Sequence, residues 1–124
     1  MTRYLVTQLR VNTRARWEAE RSHIMPVDLI AQFECRRGRR AAVLQLLADY
    51  AGLVTRSAGT LRFEVYTEES NLDRVLVIER YVDGTAFQAH LADPANGQFN
   101  RELGPLIVGG GSQLTLLSAV GAEA

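Results

Sequence analysis

The chain has 124 residues, with 14 basic residues that are all arginine, 14 acidic residues and a formal net charge of zero. This length predicts one domain with a single core, and the balanced charge argues against a nucleic-acid binder. The lone Cys35 excludes an intramolecular disulfide and a multi-cysteine metal site and fits the cytoplasm, and no apolar run is long enough to span a membrane.

The first 26 residues differ in composition from the rest. They hold five arginines against two acidic residues, and their hydrophobic pattern is weak. We therefore predict an N-terminal extension over residues 1–26, followed by a domain over residues 27–117. Two interpretations of the extension stay open: a dispensable segment, or a start codon assigned too early.

The first half of the domain predicts a strand and a long helix. Alternate residues are apolar over residues 27–35, the period of two that is typical of a half-buried strand. Apolar residues then recur at three- and four-residue spacing over residues 43–54, which predicts an amphipathic helix. The helix should end near Gly59, where glycine can take the positive φ of a helix terminus.

Two neighbouring strands and the start of a second helix follow. Residues 61–67 alternate between apolar and polar, and residues 75–78 are apolar on both faces, which favours a central strand. Asp83 then predicts an N-cap. In the helix after it, Phe87, His90 and Leu91 share one face, so the histidine should point toward the core.

The last part of the domain has the patterns of a capped helix and a closing strand. Asp93-Pro94 is typical of a helix start, the apolar stripe that follows includes Phe99, and a bend is expected at Gly104-Pro105. The glycine run at 109–111 predicts a flexible connector. Residues 113–117 are predicted to form the closing strand, and residues 118–124 a frayed tail.

This order of elements predicts an α+β fold of the ferredoxin-like, split βαβ type, with one antiparallel sheet and helices on one face. The other face of the sheet would be open in a monomer. Because the strands carry apolar residues on both faces, we expect this face to pack against a second copy in a homodimer.

Four segments stand out by their order and spacing, namely Ser57-Ala58-Gly59, Leu61-Arg62-Phe63-Glu64-Val65-Tyr66, Val77-Ile78-Glu79-Arg80-Tyr81-Val82-Asp83, and Ala89-His90-Leu91 with Asp93-Pro94. Through these segments, residues 27–117 resemble the antibiotic biosynthesis monooxygenase (ABM) family of dimeric α+β barrels, which includes cofactor-independent quinol oxygenases. Tyr81 stands where members commonly carry tryptophan. Ala95-Asn96-Gly97 stands where many carry a second histidine, so a possible acid–base partner is missing. Haem-degrading relatives depend on a core tryptophan, and the only tryptophan here, Trp17, lies outside the matching region.

The resemblance implies a cofactor-independent monooxygenase that oxidises a phenolic or quinol-type, polyketide-like aromatic metabolite with dioxygen through a substrate anion. No flavin, haem or metal is expected, and metal-ligand spacing is absent from the sequence. Two alternatives remain: a non-catalytic dimeric small-molecule-binding protein, and a cofactor-free isomerase or cyclase using the same pocket.

His90 is the predicted catalytic base, because an imidazole with an ordinary pKa of about 6.5 accepts a phenolic proton near neutrality. The competing interpretation is a core histidine satisfied by a backbone carbonyl. Tyr81 and Tyr66 are predicted to hydrogen-bond a substrate oxygen, and Arg62 or Glu64 to orient the substrate or His90. For each of these residues a solvated strand position or a salt bridge is an equal alternative. The predicted apolar wall consists of Phe33, Phe87, Leu91 and Phe99. Cys35 is interpreted as a core residue.

Overall fold

The computed structural model describes residues 25–121. Its elements, in chain order, are β1 (Val27–Glu34), α1 (Arg40–Val54), β2 (Thr60–Glu68), β3 (Asn71–Tyr81), α2 (Gly84–Ala92), α3 (Pro94–Leu103), a 3₁₀ turn (Gly104–Leu106) and β4 (Gln113–Leu117). The predicted order of strands and helices is confirmed.

The four strands form one antiparallel sheet in the order β2-β3-β1-β4. The predicted α+β fold of the ferredoxin-like type is therefore confirmed, and β3 is a central strand as its two apolar faces indicated. β2 and β3 form a hairpin, and the other neighbouring pairs join strands that are distant in sequence.

One face of the sheet, here called the inner face, packs against the helices. β1 contributes Leu29, Ala31 and Phe33 to it, and β3 contributes Val75 and Val77, all of them buried. These residues alternate along their strands because successive side chains of a strand point to opposite faces. Buried residues of the helices and of the segment after them complete the core, namely Val43, Leu47, Phe87, Leu103 and Ile107.

The opposite face, here called the outer face, carries no helix from the described part of the chain. Its centre is apolar and half-buried, formed by Ile30, Leu76 and Ile78. Charged and polar groups surround this centre. Two of their contacts cross between strands: Arg80 Nε lies 3.2 Å from Asp28 Oδ1, and Arg74 donates a 2.6 Å hydrogen bond to Gln32.

The predicted helix starts are confirmed in atomic detail. The side chain of Asp83 accepts a 2.8 Å hydrogen bond from the backbone N–H of Ala86, and Asp93 accepts one of 2.8 Å from Ala95. Both carboxylates thus satisfy backbone donors that the first turn of a helix leaves free. The expected bend at Gly104-Pro105 is the 3₁₀ turn.

The predicted reason for glycine at position 59, a positive φ at the end of a helix, was wrong. Helix α1 ends at Val54 with Thr55 as its cap, and positive φ values occur at Gly38, Gly109, Gly110 and Gly121 but not at Gly59. Gly59 is instead in tight contact with α2, since a Cβ on it would lie 2.7 Å from the Cβ of Ala86. The position favours glycine because two segments approach so closely that a Cβ would clash.

The extension predicted over residues 1–26 lies outside the described residues apart from Met25 and Pro26, as does the end of the predicted tail. Both stay predictions. Within residues 25–121, none of the helices is long and apolar enough to cross a membrane.

Candidate functional site

A cavity lies between the inner face of the sheet and the helices. It measures ≈ 470 Å³ when the part open to solvent is included, and ≈ 40 Å³ for the space that the centres of water molecules can occupy. The smaller figure gives room for a few waters, so an aromatic ring must use the open side or displace side chains. The lining consists of Leu29, Ala31, Phe33, Leu47, Tyr50, Phe63, Val77, Glu79, Phe87, His90, Leu91, Asn96, Phe99, Asn100, Ser112 and Leu114.

Glu79 and His90 face each other in this cavity. Glu79 belongs to the central strand β3 and His90 to α2, and their side chains are 7% and 12% exposed. His90 Nε2 lies 4.0 Å from Glu79 Oε1, which is longer than a hydrogen bond. The same Oε1 accepts a 2.7 Å hydrogen bond from the hydroxyl of Tyr81.

Asn96 of α3 connects His90 to two further polar residues. Its Nδ2 donates to the hydroxyl of Tyr50 at 2.8 Å and lies 3.4 Å from His90 Nε2. Its Oδ1 accepts a 3.1 Å hydrogen bond from Asn100 Nδ2. Because the Oδ1 is thus engaged on the other side, the amide nitrogen faces the histidine, and Nε2 is placed to act as an acceptor.

Aromatic rings surround this polar group. The ring of Tyr50 stacks on Phe99 with centroids 4.2 Å apart. The ring of Tyr81 lies 4.9 Å from the imidazole of His90 and 5.4 Å from Phe87. These contacts restrict the rotation of the imidazole and keep its environment weakly polar.

Burial shifts the acid–base properties of the two facing groups in opposite directions. Desolvation raises the pKa of Glu79 to about 7, against the hydrogen bond from Tyr81, which lowers it. Desolvation lowers the pKa of His90 to about 4, against the nearby Asp93, which raises it. Near neutral pH the imidazole is therefore uncharged, while the carboxyl group changes between its two forms.

Tyr81 has the pKa of its phenol raised far above the ordinary value, first by burial and then by the charge of Glu79. Its hydroxyl therefore keeps its proton and acts as a hydrogen-bond donor to Glu79 rather than as an acid.

The structure brings most of the predicted site residues together. His90 lines the cavity with the four predicted wall residues, Phe33, Phe87, Leu91 and Phe99. Tyr81 is fully buried behind them, against His90 and Glu79. Their roles in binding or catalysis stay predictions.

Three predicted site residues lie elsewhere, and placing them in this cavity was wrong. Arg62, Glu64 and Tyr66 are exposed on the outer face, because they alternate along β2 with Phe63 and Val65 of the inner face. They contact one another: Glu64 Oε1 accepts a 2.9 Å hydrogen bond from Tyr66 and lies 2.9 Å from Arg62 Nε. The hydrogen bond from Tyr66 and then that from Arg62 lower the pKa of Glu64.

Besides Ser112, which lies just before β4, four polar cavity residues were not predicted: Tyr50, Glu79, Asn96 and Asn100. Each had a signal in the sequence. Glu79 alternates with Val75 and Val77 on a central strand, where a charged residue on the buried face is unusual. The other three occupy positions on the apolar stripes of α1 and α3.

Cys35 is buried and belongs to the core, as interpreted from the sequence. Burial, and next the charge of Asp73, raises the pKa of its thiol, which disfavours the reactive thiolate. Among residues 25–121, no group of three or more histidine, cysteine or acidic side chains could hold a metal ion.

Comparison with known families accounts for this architecture. The model of the antibiotic biosynthesis monooxygenase family matches residues 26–102, which is more than half of the chain. The chain belongs to the ABM family. A comparison with curated proteins found no match.

Solved structures show the same fold. Rv0793 from Mycobacterium tuberculosis has a TM-score of 0.71 and 22% identity, over 80% of this chain and 99% of that one. A mutant of SnoaB, a cofactor-independent oxygenase from Streptomyces nogalater, has a TM-score of 0.68 and 23% identity, over 77% and 93%. A candidate antibiotic biosynthesis monooxygenase from Deinococcus radiodurans has a TM-score of 0.70 and 24% identity, over 77% and 94%. At these identities the likeness concerns the ABM fold, and the chemistry must be argued from the cavity.

Proposed function

We propose that this ABM-family protein is a cofactor-independent monooxygenase that oxidises a phenolic or quinol-type aromatic metabolite with dioxygen through a substrate anion. The observation that carries the proposal is His90, a largely buried imidazole that burial keeps uncharged near neutral pH and that lines a mainly aromatic and apolar cavity. The description of SnoaB as a cofactor-independent oxygenase supports the same reaction class.

Removal of the phenolic proton is the step that the protein supplies. The substrate hydroxyl donates to His90 Nε2 in place of the 3.4 Å contact with Asn96 Nδ2, its O–H bond breaks, and the electron pair stays on the oxygen. A phenolate gives up an electron to dioxygen far more readily than a phenol does. Recombination of the resulting radical pair forms a hydroperoxide, and loss of water leaves a quinone. One oxygen atom enters the product, the other leaves as water, and the substrate supplies all the electrons.

The cavity walls support an aromatic substrate. Phe33, Phe87, Leu91 and Phe99 offer apolar contact area, and a few polar lining residues can orient a hydroxyl group, namely Tyr50, Glu79, His90, Asn96, Asn100 and Ser112. Tyr81 supports the site because its hydroxyl donates a hydrogen bond to Glu79 and its ring packs against the imidazole of His90.

A cofactor-free isomerase or cyclase is the second candidate. The observation that favours it is the 4.0 Å separation of His90 Nε2 and Glu79 Oε1. Two proton carriers so close together suit the transfer of a proton from one atom of a substrate to another. The same cavity would also serve a non-catalytic binding protein.

Members of the ABM family are commonly dimers, and we propose a homodimer here, formed through the outer face. The apolar centre of Ile30, Leu76 and Ile78 supports this arrangement. The single buried thiol of Cys35 supports a reducing compartment such as the cytoplasm.

Oxygen uptake with hydroquinone-type substrates in metal-free buffer tests the proposal, with the His90→Gln variant beside the native chain. The variant keeps a polar side chain of similar shape without the proton acceptor. Turnover at neutral pH should fall by about a hundred- to ten-thousand-fold. The deficit should shrink at alkaline pH, because a phenol with a pKa near 10 then ionises without help.

Gln88→Ala is the matched control, because Gln88 is an exposed residue of the same helix. It should turn over like the native chain. The catalytic role of His90 would be refuted if His90→Gln melts early while its folded fraction turns over normally. Isomerised product without oxygen uptake would identify the second candidate, and ligand binding without turnover a binding protein.

A further inference from the structure

We propose that the base of this site is a pair, in which Glu79 acts through His90 by holding the transferred proton between its Oε1 and His90 Nε2. This inference rests on the proposed function for the identity of the proton donor, a phenolic hydroxyl. It adds a positioning residue that the resemblance to the family did not suggest.

The placement of Glu79 is costly unless the carboxyl group has a task. It lies on a central strand with 6% of its surface exposed, and its cross-strand neighbours Leu29 and Phe63 are apolar. Burying a carboxylate costs several kcal/mol, whereas valine would fit the alternation of Val75 and Val77. Among the described residues that line the cavity, Glu79 is the one with a carboxyl group.

Among the described residues around Glu79, His90 is the partner that can receive a proton from a ligand. Tyr81, on the same strand, donates its hydroxyl hydrogen to Oε1. From α1 and α3, Tyr50, Asn96 and Asn100 present uncharged groups. From α2, His90 presents Nε2 at 4.0 Å, with Asp93 as the nearby charge acting on the imidazole.

At the 4.0 Å separation of His90 Nε2 and Glu79 Oε1, the carboxylate can stabilise the imidazolium that forms when His90 accepts a proton. A lone imidazole in this cavity is a weak base, since burial lowers the pKa of His90 to about 4. Once a substrate hydroxyl has donated its proton to Nε2, the imidazolium faces the carboxylate at a distance where opposite charges attract strongly in a weakly polar interior. Shortening the 4.0 Å gap to hydrogen-bond length joins the two charged groups by a charge-assisted hydrogen bond.

The step is balanced. The substrate O–H bond breaks, an N–H bond forms at Nε2, and the negative charge moves to the substrate oxygen. The proton stays with the pair, on Nε2 or on Oε1, until the product oxygen takes it back. The pair works when Glu79 is ionised and His90 is neutral, so the rate should rise with pH as Glu79 loses its proton near pH 7.

Two measurements on the full-length protein test the inference, using native chain, Glu79→Gln and Tyr81→Phe. The first is the pH profile of oxygen uptake with hydroquinone. The second needs no activity: the ¹⁵N ring signals of His90 are followed by NMR from pH 4 to 9. The chain has two histidines, so the His90→Gln spectrum identifies these signals.

In the native chain, both the rate of oxygen uptake and the ¹⁵N chemical shifts of the His90 ring should show a step near pH 7. Glu79→Gln should lose both steps and lower the neutral rate by about a hundredfold or more. Tyr81→Phe should move both steps to higher pH, because its hydroxyl stabilises the carboxylate. Tyr81→Phe also keeps the test valid if Glu79→Gln does not fold.

Glu64→Gln is the matched control. Glu64 and Tyr66 repeat the Glu-x-Tyr hydrogen bond of Glu79 and Tyr81 on the outer face, at 2.9 Å. This variant should leave the NMR step of His90 in place.

The outcomes separate this inference from the proposed function. A His90 step that persists in Glu79→Gln, or that stays at the same pH in Tyr81→Phe, overturns the pair whatever the oxygen assay gives. Absence of oxygen uptake by the native chain, together with a His90 step that Glu79→Gln removes, refutes the oxygenase and supports the pair. Full activity of Glu79→Gln at neutral pH overturns the pair and leaves the oxygenase standing.

Discussion

At the scale of single residues, burial acts on Glu79 and His90 with opposite consequences for stability. Folding raises the pKa of Glu79 from 4.5 to about 7 and lowers that of His90 from 6.5 to about 4. At pH values between about 4.5 and about 6.5, the carboxyl group of Glu79 is ionised in the unfolded chain but protonated in the folded chain. Over the same range the imidazole of His90 is protonated in the unfolded chain but neutral in the folded chain. The two contributions to the free energy of unfolding therefore change in opposite directions over almost the same pH range.

We predict that single variants will expose these two contributions. In His90→Gln only Glu79 remains, so stability should fall as pH rises from about 4.5 to about 7. In Glu79→Gln only His90 remains, so stability should rise from about pH 4 to about pH 6.5. At about 1.4 kcal/mol per pKa unit, each change is at most about 3 kcal/mol.

Urea unfolding at pH values from 4 to 8 measures both slopes, and the native chain should show a flatter profile than either variant. Parallel profiles for all three proteins would mean that the carboxyl group and the imidazole are not shifted by burial.

At the scale of elements, the position of α2 depends on how closely it approaches the segment before β2. A Cβ on Gly59 would lie 2.7 Å from the Cβ of Ala86, and the carbonyl of Gly59 accepts a 2.8 Å hydrogen bond from the N–H of Val82. The contact lies one turn before His90, so it helps to place the imidazole in the cavity.

We predict that Gly59→Ala will destabilise the fold by about 1–3 kcal/mol, because the added methyl group overpacks the contact. Adding Ala86→Gly should restore part of the loss. Gly52→Ala is the control: Gly52 lies in α1 with nothing within 4 Å of an added Cβ, so the change should stabilise the helix by about 0.5–1 kcal/mol. Thermal unfolding compares the variants, and equal effects at both positions would contradict the close approach.

At the scale of the whole molecule, the outer face is the surface through which we propose that the homodimer forms. Its apolar centre is bordered by the pair of Arg80 with Asp28 and by the group of Arg62, Glu64 and Tyr66. An apolar centre with a polar rim is the usual composition of a protein interface. In the proposed dimer, Arg62, Glu64 and Tyr66 therefore lie at the polar edge of the interface.

We predict that the native chain sediments as a dimer at micromolar concentration and that Ile78→Glu sediments as a monomer, because it places a charge at the centre of the outer face. Leu53→Glu is the matched control. Leu53 is exposed on α1, on the helical side of the molecule, and its substitution should leave the dimer intact. A native chain that sediments as a monomer would refute the interface.

Periodicity and local side-chain chemistry were enough to predict the elements. The alternation along β1 and β2, the helical spacing of α1 and the caps at Asp83 and Asp93 all depend on neighbours within a few residues, so they can be read from the chain itself. The shared face of Phe87, His90 and Leu91 was predictable for the same reason. Alternation along β2 also separates Arg62, Glu64 and Tyr66 from the inner face, once it is known which face the helices cover.

The tertiary structure alone decided which polar groups meet. Tyr50, Glu79, His90 and Asn96 come from four different elements, and the hydrogen bond between Asn96 and Tyr50 joins residues 46 positions apart. No local pattern encodes that meeting, because it follows from the order of strands in the sheet and from the packing of three helices on one face. The shifted pKa values of Glu79 and His90 depend on the same packing, since desolvation exists only after the core has closed around them.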